Sequence, residues 1–154
     1  MKRFAMTTGA LVLLASAVVG CGPDPLLGTY SYTQTATYMQ TVPQTGTVAG
    51  TDTGNCTVTE GSTSDYLFNA TGTGGSTCVL NAMQASNLGM TIVANQTCMF
   101  RANNNTTTTA TITGGSGTLA DNTLTVTANF TYTGTALGIN FAGTGSTTII
   151  GTRR

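Results

Sequence analysis

Few residues in this chain of 154 could do chemistry. It contains no histidine, and Lys, Arg, Asp and Glu together make up only 6% of it. Without histidine, the usual base for Ser and Cys nucleophiles is missing, and so is the commonest ligand of catalytic transition metals. What remains is four cysteines, at positions 21, 56, 78 and 98, and five acids, Asp24, Asp52, Glu60, Asp65 and Asp121. One acid stands in a distinctive setting, Asp52-Thr53-Gly54. A carboxylate so placed can activate water if a second one shares its proton. Glu60 and Asp65 bracket a polar turn and read as a solvated hairpin end. The cysteines lack Cys-x-x-Cys spacing for zinc, the acids are too scattered for a calcium loop, and no Gly-Lys-Ser/Thr pattern cradles phosphate. No cofactor and no metal are expected.

Cys21 is set apart by what precedes it. Lys2 and Arg3 give a basic start, Gly9 to Val19 form an apolar run, and Val18-Val19-Gly20-Cys21 follows. The run is too short to cross a bilayer, which takes about 20 residues as a helix. These residues resemble the bacterial lipobox: an aliphatic residue, a small or aliphatic one, Gly or Ala, then Cys. The resemblance covers about the first 22 residues. It implies a signal peptide over 1–20, cleavage before Cys21, acylation of its sulfur, and a membrane partner reached through that lipid. Gly22 follows, not the Asp that retains some lipoproteins at the inner membrane, so the expected location is the bacterial envelope, with the outer membrane favoured.

Asp52-Thr53-Gly54 resembles the signature of aspartic proteases, and Ile149-Ile150-Gly151 the apolar segment that braces it. The resemblance implies an all-β dimer with one such Asp per subunit. In that family a buried apolar strand leads into the Asp, whereas here Val48-Ala49-Gly50-Thr51 is weakly apolar and Asn55 replaces the usual Ala or Ser. A surface turn is therefore expected at Asp52, and no enzyme activity; a dimeric protease using Asp52 is the remote alternative.

The exported part keeps Arg101, Arg153 and Arg154 against the five acids, so it has no basic patch for nucleic acid or for anionic lipid. Arg153 and Arg154 read as a solvated tail. Threonine supplies roughly a quarter of that part, far above average usage. Being β-branched, it suits the solvent face of a strand. Apolar residues alternate with it. Tyr30, Tyr32, Ala36 and Tyr38 share one face; Cys56 and Val58, then Tyr66, Phe68 and Ala70, then Cys78, Leu80 and Ala82 continue the pattern. Met90 and Ile92, Cys98 and Phe100, Ala110 and Ile112 follow. The strongest strand is Thr123 to Thr133, with Leu124, Val126, Ala128, Phe130 and Tyr132 inward; Ile139, Phe141 and Ile149 close the chain. Turns are expected at 60–65, 71–75, 87–89, 114–117 and 120–122. Val79 to Ser86 is the one stretch that could be helical, and it is too short to stand alone.

The fold expected is all-β: an antiparallel up-and-down meander of about eight strands, forming a small closed or partly open barrel. One domain over 27–154 follows a tether over 21–26 that Pro23 and Pro25 keep extended. The order of turns is similar to that of small lipocalin-like envelope barrels, with Gly28-Thr29-Tyr30 where those carry Gly-x-Trp. A core of Tyr32, Val58, Phe68, Leu80, Ile92, Phe100, Ile112, Val126, Phe130 and Phe141 is expected. A single reversal at 87–89 separates Cys78 from Cys98, so these two are expected to pair, leaving Cys56 a buried free thiol.

Two functions fit. The first is a lipid-anchored, non-catalytic envelope protein that displays its β-domain for surface or assembly contacts. The second is a carrier that holds a small apolar ligand among Tyr30, Tyr32, Phe68, Phe130 and Phe141. A closed apolar cavity above about 300 Å³ would favour the carrier, and a filled core would leave the display role.

Overall fold

The computed structural model describes residues 23–73, 75–102 and 106–154, with side chains omitted for 101–107. Nine strands form one antiparallel sheet: β1 Gly28–Val42, β2 Gly46–Glu60, β3 Tyr66–Gly72, β4 Thr77–Ser86, β5 Gly89–Ile92, β6 Thr97–Ala102, β7 Thr106–Ala120, β8 Thr123–Ala136 and β9 Ile139–Arg153. No helix occurs among the described residues, and Val79 to Ser86 lies in β4. Cys21 and the 1–20 segment lie outside the described residues.

The hydrogen-bonded order is β3-β2-β1-β9-β8-β7-β5-β4-β6, and β3 also pairs with β4, so the sheet closes into a ring. β5 and β6 run in the same direction, and each pairs with β4 on one side and β7 on the other. They are two halves of one strand interrupted at 93–96, so nine strands fill eight positions of a meandering barrel. Asn95, at φ 64°, absorbs the interruption, and its N–H bonds Ile112 O at 2.8 Å.

Period-two alternation builds the interior. In β8, Leu124, Val126, Ala128, Phe130 and Tyr132 are buried while the intervening threonines and Asn129 face outward. Eight of the ten expected core residues are buried; Phe100 and Phe141 are half-buried against the core. Two expected turns are instead strand. Gly114 to Gly117 lie inside β7, which continues past a bulge between Ile112 and Gly114. There the small residues make room across the barrel: a Cβ at Gly117 would stand 2.6 Å from Met90 Cε. Asp52 lies within β2, whose register with β1 runs unbroken from Gly28↔Val58 to Gln40↔Gly46. Pairing along this long hairpin overrides the weak local propensity of Val48-Ala49-Gly50-Thr51.

The base of the barrel, where β1 begins and β9 ends, is plugged by the chain that leads into it. Leu26, expected to be the last residue of the tether, is 0% exposed. Asp24 accepts from Leu26 N at 2.8 Å and from the Tyr66 hydroxyl at 2.5 Å, and the Tyr30 hydroxyl donates to Leu26 O at 2.8 Å. Arg153 is not a solvated tail. Its guanidinium lies 5.4 Å from the centre of the Tyr30 ring and donates to the Tyr30 hydroxyl at 2.8 Å, to Leu27 O at 3.3 Å and to Pro25 O. Arg154 N bonds Thr29 O at 3.0 Å, which ties the last residue to β1 as well.

Candidate functional site

The upper half is built differently. β3 is short, so it covers β2 only from Gly54 to Glu60. Above it, β4 and β6 share the single register pair Thr77↔Met99. β2 from Gly46 to Asp52 therefore pairs on one side only, with β1, and β6 above Met99 only with β7. Among the described residues no strand bridges this gap, and the barrel is split down one side of its upper half.

The gap leads to a cavity of about 280 Å³. Its middle layer is lined by Ala36, Gly50, Ala70, Ala110 and Ala128, whose small side chains leave the space. Phe68, Leu80 and Ile149 also line it on the base side, and Tyr38 and Phe130 toward the top. Tyr38 stands edge-on to Phe130 and Tyr132, with ring centres 5.7 and 5.8 Å apart, and Tyr132 meets Phe141 at 6.2 Å. These four rings roof the barrel.

Of the five residues expected to hold a ligand, Tyr32, Phe68 and Phe130 line the cavity. Tyr30 does not: it is locked in the base by Leu26 and Arg153. Phe141 sits in the roof, beside a shallow depression outside the cavity. The lining also has a polar part beyond the expected residues. Gln34 shares the inward face of β1, where its amide donates to Thr147 Oγ1 at 2.9 Å. The alternation from Tyr32 to Tyr38 was the available signal, since it places Gln34 inward as surely as Ala36.

Asp52 is also on this lining, half-buried at the gap. Its Oδ1 accepts from Thr53 N at 2.8 Å and from Thr73 Oγ1 at 2.8 Å. Its Oδ2 lies over Gly72, where any Cβ would collide with it, and that same Cβ would stand 3.5 Å from the Tyr32 hydroxyl. Burial, then the charges of Asp52 and Cys56, pushes the Tyr32 pKa up to about 12. Among the described residues Asp52 is the one acid of the lining, and none of them there is Lys or Arg. Asp52 and Ile149 are register partners of the same residue, Gln34, on opposite sides of β1. The Ile149-Ile150-Gly151 segment is therefore one strand removed from Asp52, with Ile150 exposed outward.

Cys78 and Cys98 are joined across β4 and β6, with Cα atoms 5.0 Å apart. The bridge crosses where these strands share their one register pair, at the lower corner of the gap, and Cys78 lines the cavity. Cys56 is free and buried in the base, where burial pushes its thiol up to about 11. Compared with family models, curated proteins and solved structures, the chain matches none.

Proposed function

We propose that the protein is a lipid-anchored envelope barrel that binds a small, largely apolar molecule in its upper cavity. The observation that carries this reading is the cavity of about 280 Å³, reached through the side gap. It falls just below the roughly 300 Å³ expected of a carrier and opens at the side instead of being closed, which limits the ligand to a small one. Eight-position barrels are just wide enough either to fill or to hold one such ligand, and the small middle layer of this one leaves room. The anchor rests on Val18-Val19-Gly20-Cys21. The chain enters at the plugged base, so a lipid on Cys21 would leave the open half facing away from the membrane. Activity of a catalytic kind forms no part of this reading.

A second reading, display for protein contacts, draws support from the rim around the top. Leu137 is 95% exposed, Val48 62% and Ile139 57%, a concentration of apolar surface far from the anchor. Two experiments test the proposal. Cys21→Ser should move the protein from the membrane fraction to the soluble one. Titration of the purified protein with 1-hexanol, followed by tyrosine fluorescence, should saturate, and should fail to do so in Ala128→Leu, which fills the cavity. Unchanged membrane attachment would remove the anchor, and absence of a saturable change would remove the ligand.

A further inference from the structure

We propose that the cavity selects small organic cations, with Asp52 Oδ2 pairing an ammonium head and the apolar lining holding the tail. This deepens the ligand-binding reading above and rests on it. Among the described residues the lining brings one carboxylate, several hydroxyls and no cationic side chain to a space walled mostly by alanine, aromatic and aliphatic groups. A cation that enters such a space leaves water behind, and a carboxylate at its edge offsets that loss.

The carboxylate is oriented for this. Among the described residues both hydrogen bonds to it fall on Oδ1, from Thr53 N and Thr73 Oγ1. They fix the plane of the group and leave Oδ2 turned over Gly72, on the inward face of β3. The absence of a side chain at Gly72 is what lets Oδ2 occupy that place. The Tyr32 hydroxyl lies beside it, offering a second oxygen to an ammonium hydrogen. Tyr38, Phe100 and Phe130 line the same space, and their ring faces attract a cation that enters it. Burial does most to keep Tyr32 and Tyr38 protonated, and the charge of Asp52 adds to it at both, after that of Tyr132 in the case of Tyr38. An anionic head would meet the same carboxylate and be repelled, and a neutral head would gain only an ordinary hydrogen bond.

Three probes with one tail separate these cases: hexylammonium, 1-hexanol and hexanoate, titrated calorimetrically at pH 7 against the full protein and its Asp52→Asn and Ala128→Leu variants. Hexylammonium should bind at least about tenfold tighter than 1-hexanol, the ratio expected of one charge-assisted hydrogen bond. Hexanoate should be the weakest. Asp52→Asn should bring hexylammonium down to the affinity of 1-hexanol while leaving 1-hexanol unchanged, which also shows that the variant is folded. Ala128→Leu should weaken all three. Equal binding of the three probes, or a cation preference that survives Asp52→Asn, would overturn this inference and leave the apolar cavity standing. No binding by any probe would overturn both.

Discussion

At the base of the barrel, Leu26, Tyr30, Val58, Met90, Ile92 and Leu124 meet with almost no exposed surface. Half a barrel higher, the inward positions of the same alternating strands hold Ala36, Gly50, Ala110 and Ala128, and the centre is hollow. The two regions have equal strand geometry and differ in side-chain volume and in edge closure. At the base every strand has two neighbours, and the incoming chain and Arg153 seal the end. Above, the short β3 withdraws one neighbour from β2, and the barrel opens beside a carboxylate. Stability is thus concentrated at one end and access at the other, a division seen where a rigid frame positions a binding surface.

The largest effect that would test this division is at the base. Leu124→Ala removes a side chain with 0% exposure and should cost about 2–5 kcal/mol in denaturant unfolding. A loss below about 0.5 kcal/mol would mean that the base is not the packed end, because only surface positions are so tolerant.

Reduction of Cys78–Cys98 should follow, at about 3 kcal/mol for the loop of 20 residues it closes. Because β4 and β6 share one register pair, hydrogen exchange should rise first in β6 and leave β8 and β9 protected. Uniform loss of protection would mean that the bridge holds the whole barrel, not the corner of the gap.

Enlarging small residues should separate the regions more sharply. Ala82 is 0% exposed between its register partners Tyr66 and Ile92 in the base, and Ala82→Leu should cost about 1–3 kcal/mol. Ala128→Leu grows into the cavity and should cost less than about 1 kcal/mol in the same assay. Equal costs would mean that the cavity collapses in solution.

The smallest effect is confined to alkaline pH. Cys56 and Tyr32 are held neutral in the folded chain, at about 11 and about 12, above their usual values. Their contribution is therefore complete below those usual values and is lost as pH rises through the folded ones, so stability should fall between about pH 9 and 12. Cys56→Ala should remove the earlier part of that decline. A flat profile across this window would contradict the burial of both groups.

The alternation of apolar residues with threonine made the closed, meandering, all-β architecture legible, and the single reversal between Cys78 and Cys98 made their pairing so. The sites where local signals misled share one cause. Gly114 to Gly117 and Gly50 to Gly54 look like breakers because glycine weakens a strand taken alone. In the barrel they are held by neighbours on β8 and β1, and at Gly54, Gly115 and Gly117 the missing side chain is used for close approach. Arg153 departs from the expected solvated tail for a related reason: its partners Pro25, Leu27 and Tyr30 lie near the other end of the sequence, where no local pattern connects them. The cavity was least legible, since it depends on how small residues from separate strands come to lie in one layer.

The most direct test of the central claim is an NMR measurement of where 1-hexanol sits. Intermolecular contacts should connect its chain to the methyl groups of Ala36, Ile112 and Ala128 inside the barrel and should disappear in Ala128→Leu. Contacts confined to the exposed rim at Leu137 and Ile139, or surviving that substitution, would contradict it.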